Sequence, residues 1–123
     1  MIVAVTGSRD WGGPGQARLL AAVLTTYLRD PDNDRLIVGD ARGADMHARE
    51  VAKHMGFAAT VYRAEWAKKG PSAGPARNRR MLDDGKPDVL LAFKNKPWST
   101  GTDGCIREAM KRGIHCVITE VRG

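Results

Sequence analysis

The chain has 123 residues, 42% hydrophobic and 28% charged, enough for one domain with a real core and too few for a catalytic domain plus a regulatory one. No apolar run approaches the roughly 18 residues of a membrane helix, so no membrane partner is expected. A net charge of +6 suits anionic partners, whether small phosphates or nucleic acid, without choosing between them.

The amino terminus, MIVAVTGSRD, has no basic leader and no small-residue cleavage site, so secretion is not expected. In chain order, the first β-branched run, Ile2 to Thr6, predicts a strand. Leu20, Val23, Leu24, Tyr27 and Leu28 recur at helical spacing, and the turn-rich connector PDNDR, Pro31 to Arg35, follows them. A second strand runs from Leu36 to Gly39, and Ala44, Ala48, Val51, Ala52 and Met55 mark a second helix. A third strand, Ala59 to Tyr62, leads through an approach loop to a helix from Pro75 to about Leu82, proline being suited to a first helical turn. The fourth strand, Val89 to Phe93, precedes a helix from about Asp103 to Arg112 that stops at Gly113, and the fifth strand is Cys116 to Thr119. Cys105 and Cys116 are too far apart for a C-x-x-C pair, so both thiols are expected free and packed, in a reducing cytoplasm.

This alternation predicts an α/β fold: one three-layer Rossmann-like domain over residues 1–123, with a mainly parallel sheet of about five strands. Right-handed crossovers make 3-2-1-4-5 the simplest strand order. In such sheets ligands gather outside the carboxyl ends of the strands, near the point where the order reverses, so binding residues are sought in the loops that follow strands.

Four loops qualify. After strand one, TGSRDWGGPG lets backbone approach a ligand while Ser8 and Arg9 offer donors. It is neither a Walker loop nor a G-x-G-x-x-G fingerprint. After strand two, GDARGAD places Gly43 at a helix start with Asp40 and Arg42 beside it, although by itself the stretch reads first as Asp40 or Asp45 favouring that helix end with Arg42 solvated. After strand three, Arg77 and Asn78 stand in a first helical turn and can face one pocket, whereas Arg79 and Arg80 read as a solvated basic face. After strand four, Ser99, Thr100 and Thr102 put hydroxyls beside the glycine amides of Gly101 and Gly104, the strongest phosphate cradle in the chain; Thr102 as a helix cap is compatible with it. Trp11, Trp66 and Trp98 all follow strand ends, where they either stack a base or sugar or cover the core under long loops.

Together the blocks TGSRDW, GDARGADMHA, AEWAKKGPSAGPARNRRM and STGTDGCIREA resemble the small bacterial and phage proteins of the YspA type. These fall within the SLOG superfamily, which includes the Lonely Guy phosphoribohydrolases and the DNA-processing protein DprA. The resemblance spans nearly the whole chain. It implies a Rossmann-like fold that binds nucleotides or nucleotide-derived ligands, a role in sensing or processing them, and association into a dimer or larger homo-oligomer. It carries over Gly7, Ser8 and Arg9, then Gly43 and Asp45, then Arg77 and Asn78, then Gly101 and Thr102, as ligand-binding positions. Where the Lonely Guy motif has its glutamate this chain has Cys105, and a preceding glycine pair is replaced by Trp98-Ser99. A thiol does not supply the negative charge that a ribosyl oxocarbenium ion needs, which speaks against phosphoribohydrolase activity.

The leading expectation is a cytoplasmic domain that binds a small nucleotide derivative, its phosphate held by Gly7 to Arg9, Arg77 and the Gly101-Thr102 helix start. A second reading is an N-glycosidic hydrolase or transferase with Asp103 or Asp40 as its carboxylate. A third is a nucleic-acid-binding module that uses the Arg77 to Arg80 cluster. No cofactor is expected, and no metal, because His47, His54 and His115 have no zinc-ligand spacing with the cysteines or carboxylates.

Overall fold

Five short β-branched runs form five parallel strands in this computed structural model, which describes residues 1–121. In chain order the elements are β1 (Ile2–Gly7), α1 (Pro14–Tyr27), β2 (Arg35–Gly39), α2 (Ala44–His54) and β3 (Ala58–Tyr62). There follow α3 (Trp66–Lys69) running into a 3-10 turn at Gly70–Ser72, α4 (Ala73–Gly85), β4 (Val89–Lys94), α5 (Thr100–Lys111) and β5 (His115–Glu120). The strand order is β3-β2-β1-β4-β5, the simplest order that the alternation predicts, and every neighbouring pair is parallel. The order reverses between β1 and β4, where Gly7 pairs with Phe93.

Alternating side chains of the central strands feed two separate cores. Val3 and Val5 of β1 and Val89, Leu91 and Phe93 of β4 meet Leu20 and Leu24 of α1 and Ala44, Ala48 and Ala52 of α2 on one face. Ala4, Leu90 and Ala92 meet Met81 and Leu82 of α4 and Cys105, Ile106 and Ala109 of α5 on the other. A strand covered on both faces must be apolar at successive positions, which is why β1, β2 and β4 read as unbroken apolar runs. The edge strands β3 and β5 are largely exposed or half-buried. Each fully buried aliphatic side chain contributes about 1.5–3 kcal/mol, so the three central strands hold the sheet together.

The helix starts depart from expectation in three places. Helix α4 starts at Ala73, two residues before Pro75, because a proline in the first turn lacks only an amide that has no intrahelical acceptor there. Helix α5 starts at Thr100 with Ser99 as its cap, so Asp103 lies inside the first turn. The segment expected as an approach loop contains α3, four residues long and well below the length at which sequence pattern reveals a helix. Met55, assigned to the buried face of the second helix, lies just past the end of α2 and is 44% exposed. Both cysteines are free, Cys105 buried and Cys116 half-buried.

Candidate ligand-binding site

The loops after β1, β2 and β4, together with the first turns of α4 and α5, enclose a cleft of about 780 Å³ at the carboxyl edge of the sheet. Seven of its lining residues are Arg or Lys and three are Asp or Glu, so a net charge of +4 of the chain's +6 is concentrated there. That concentration makes the cleft an attractive place for an anion and weakens the case for a basic charge spread evenly over the surface.

The start of α5 forms one wall. Ser99, Thr100, Gly101 and Thr102 all line the cleft, and the amides of Thr100, Gly101 and Thr102 have no acceptor within the helix. Ser99 Oγ donates to Thr102 Oγ1 at 3.0 Å, which uses one of the two hydroxyl protons. Asp103 is turned away: its carboxylate accepts the Ser99 N–H at 3.2 Å and pairs with Lys94 Nζ at 2.7 Å. Burial pushes its pKa up, but the Lys94 ammonium and the Ser99 amide outweigh that and hold it below the usual carboxylate range. Asp103 therefore braces the helix start and does not line the cleft.

Arg77, in the first turns of α4, forms the floor. It is 8% exposed, and two of its donors are committed: Nε donates to Asn78 Oδ1 at 2.8 Å and Nη1 to Asp40 Oδ1 at 2.7 Å. Asp40 is itself held by the Ala64 N–H at 3.2 Å. Nη2 has no acceptor among the described residues, so one edge of a fixed guanidinium is left for the cleft. Asn78 also reaches the Gly101 carbonyl, at a long 3.5 Å, and so joins α4 to the start of α5. Asp40 does not line the cleft, and its position makes it the counter-ion that aims Arg77.

The start of α2 differs. Gly43 has φ +79°, and a Cβ there would lie 2.3 Å from the Ser8 carbonyl oxygen and 2.4 Å from that of Arg9. The Ala44 amide donates to Ser8 O at 3.2 Å. Gly43 is thus pressed under the loop after β1 and lies outside the cleft, where sequence reasoning expects it to open onto an anion. Its contribution is close packing. Ser8 lines the cleft but is already engaged: its amide donates to Phe93 O at 2.9 Å and its Oγ accepts the Asn95 N–H at 3.2 Å.

Asp45, one residue into α2, does line the cleft and is 4% exposed. Its Oδ2 accepts the Ala41 N–H at 3.2 Å. Burial raises its pKa from 3.8 to about 6, against the opposing pull of Arg77 and the Ala41 amide. Asp45 and Arg77 approach over Gly39, where a Cβ would fall 2.5 Å from Arg77 Nη1 and 2.7 Å from Asp45 Oδ2. Any larger residue at position 39 would drive the two side chains off the strand end.

The three tryptophans separate. Trp66 and Trp98 line the cleft and are 48% and 82% exposed. The Arg9 guanidinium sits 5.7 Å from the Trp66 ring centroid, a cation–π contact that orients both at the rim. Trp11 is buried in the core, tilted against Phe93 with ring centroids 5.4 Å apart, and its Nε1 donates to Gln16 O. It covers the core and is not available to stack a base or sugar.

A family model described as YspA, cpYpsA-related SLOG family matches residues 1–68, more than half of the chain. The chain belongs to this SLOG family. The gene 61 protein of Mycobacterium phage D29 is 39% identical over 117 residues, which cover 91% of this chain and 90% of that protein. Among solved structures, a "putative UDP-N-acetylglucosamine 2-epimerase" from Listeria monocytogenes superposes with a TM-score of 0.54 at 12% identity. That alignment takes in 98% of this chain, which spans only 30% of the longer protein, and it speaks for the fold alone.

Cys105 stands where the resemblance to the Lonely Guy motif would put a glutamate. It is fully buried and lies outside the cleft. Burial pushes its thiol up to about 12, against a smaller pull from the Thr6 hydroxyl. Arg79, expected on a solvated basic face, lines the cleft, and sequence reasoning missed Arg107 and Lys111, which line it too, as well as Lys96, which pairs there with Asp10 at 2.9 Å. A signal existed for two of them: Thr100, Gly104, Arg107 and Lys111 recur at helical spacing, so the face of α5 that opens at the cradle continues through both cations. Among the described residues no helix is long and apolar enough to cross a membrane.

Proposed function

We propose that the cleft binds a nucleotide-derived ligand through its phosphate, held between the open amides of α5 and the free edge of Arg77, with base or sugar against Trp66 or Trp98. Arg77 carries this reading. A guanidinium this deeply buried, fixed on two sides by Asp40 and Asn78, keeps one edge unpaired toward a cleft that already has a net positive charge. That edge opens onto the cleft, where a ligand anion would supply a charged hydrogen-bond partner. Membership of the SLOG family agrees with a nucleotide-related ligand.

The test is thermal stabilisation of the purified protein by nucleoside monophosphates, cyclic nucleotides, NAD, ADP-ribose and short single-stranded DNA, with each mixture checked by chromatography for released base. Selective stabilisation by phosphate-bearing nucleotides is the expected result. Arg77→Ala should weaken that binding by about 1.5–3 kcal/mol, the range for a hydrogen bond to a charged group. Unchanged affinity in a folded Arg77→Ala protein would remove Arg77 from the site. Released base would make the protein an enzyme, and a response to DNA alone that vanishes in salt would make it a nucleic-acid binder.

A further inference from the structure

We infer that Asp45 reads a sugar hydroxyl of the bound ligand, so that the cleft selects a ribosyl phosphate over a bare phosphate or a deoxygenated analogue. This rests on the nucleotide reading above and extends it to the part of the ligand next to the phosphate. The observation behind it is an acceptor without a donor. Asp45 is more than nine-tenths buried, its Oδ2 is taken by the Ala41 amide, and its Oδ1 has no donor among the described residues while the side chain lines the cleft. Arg77, its neighbour over Gly39, does not hydrogen-bond to it: the Arg77 side chain donates to Asp40 and Asn78.

Charge then narrows what can occupy the space. If a phosphate sits on the open amides of α5 and the free edge of Arg77, the next group along the ligand meets Asp45. A second phosphate there would face a carboxylate and be repelled, whereas a hydroxyl would donate to it and complete its shell. The sugar is one ester bond from the phosphate, and its hydroxyls are donors. The base, which can reach further, is left to the exposed tryptophans at the rim. The chemistry predicted is a phosphate, a hydroxyl pair and an aromatic ring in that order.

The groups around Asp45 make its ionisation part of this recognition. Arg77 from α4 and Arg49 from its own helix favour the charged form, while Asp40 from the end of β2 and burial oppose it. Measurements therefore belong well above pH 6, where the carboxylate is charged and accepts.

The experiment is calorimetric titration of the wild-type chain with AMP, with the dideoxy analogue of AMP that lacks both ribose hydroxyls, with ribose phosphate and with inorganic phosphate. The expected result is at least tenfold tighter binding of AMP than of its dideoxy analogue, matching the loss of a hydrogen bond to a charged group. Asp45→Asn keeps the side chain's shape and can still accept from Ala41, but presents an amide donor to the cleft. It should abolish the preference for AMP over its dideoxy analogue and leave inorganic phosphate binding equal or stronger. Equal binding of AMP and its dideoxy analogue by the wild type overturns this inference and leaves the nucleotide reading intact. Binding of inorganic phosphate without AMP or ribose phosphate overturns the inference and leaves only an anion cradle. No binding by any probe overturns both readings. The wild-type comparison needs no variant, so it decides even if Asp45→Asn does not fold.

Discussion

Helices α2 and α5 both begin at the cleft, both have glycine in or beside their first turn, and both carry an aspartate in that turn, yet they offer a ligand opposite things. At α5 the aspartate is turned back onto Ser99 and Lys94, and the first amides stay open. At α2 the first amide is spent on the Ser8 carbonyl, and the aspartate keeps an oxygen in the cleft. The helix dipole is the same in both cases and favours an anion equally. What differs is the neighbour each helix start meets. On the proposed reading a phosphate goes to α5 and a donor to α2, because the cleft offers open amides at one helix start and a carboxylate oxygen at the other.

This contrast can be broken most forcefully at Gly43. Gly43→Ala introduces a left-handed alanine whose Cβ runs into the Ser8 and Arg9 backbone, and the loss of stability should reach about 3 kcal/mol or more in chemical denaturation. A loss within a few tenths of a kcal/mol would mean that the start of α2 is not held closed by that contact.

The second effect is a pH slope from Asp45. Its pKa is raised from 3.8 to about 6 in the folded chain, so the folded state holds the proton more tightly than the unfolded state. The stability this gives is full below about pH 4 and is lost as the pH rises through about 6, a change on the order of 3 kcal/mol. Asp45→Asn should flatten that slope and be the more stable protein above pH 6. Identical stability-against-pH curves for the two proteins would show that Asp45 does not titrate in this window. A carboxylate that weakens the fold at neutral pH fits one kept for binding.

Smaller effects sharpen the α5 side. Thr102→Val removes a hydroxyl from a nearly fully buried, cleft-lining position and should weaken binding of inorganic phosphate by about 0.5–1.5 kcal/mol, read by calorimetry. Asp103→Asn loses the Lys94 pair, which is partly exposed, and should cost about 0.2–1 kcal/mol of stability while leaving any reaction or binding preference in place. If Asp103→Asn instead abolished binding while the protein stayed folded, Asp103 would have a role at the cleft that its contacts do not show.

Much of the site was legible because it depends on order along the chain. Ser99 to Thr102 follow a buried strand and open an amphipathic helix, so their place at the sheet edge follows from topology, as does that of Arg77 and Asn78. Other residues were not legible because their roles rest on distant partners. Trp11 follows a strand end as Trp98 does, but it finds Phe93 far along the chain and turns inward. Asp40 and Asp103 are acidic residues in the right loops, and Arg77 and Lys94 claim them. Arg107 and Lys111 lie beyond the helix start, but the helix repeats the same face there, so helical spacing from Thr100 and Gly104 points to them.

The sequence by itself determined the layers. Strands covered on both faces must be continuous apolar runs, strands joined by helices must run parallel, and crossovers of one hand leave few orders to choose from. These are rules about local pattern and chain connection, so no three-dimensional information is needed to apply them. Only the tertiary structure decided which helix start is open, which tryptophans face the cleft and which carboxylate keeps an oxygen toward it. Each of those depends on a hydrogen bond or a close contact between residues far apart in the chain, such as Ser8 with Asn95, Asp40 with Arg77 and Gly43 with the Ser8 carbonyl. Such contacts are set by how the β1, β2 and β4 loops meet at one edge, and a one-dimensional pattern carries no term for that meeting.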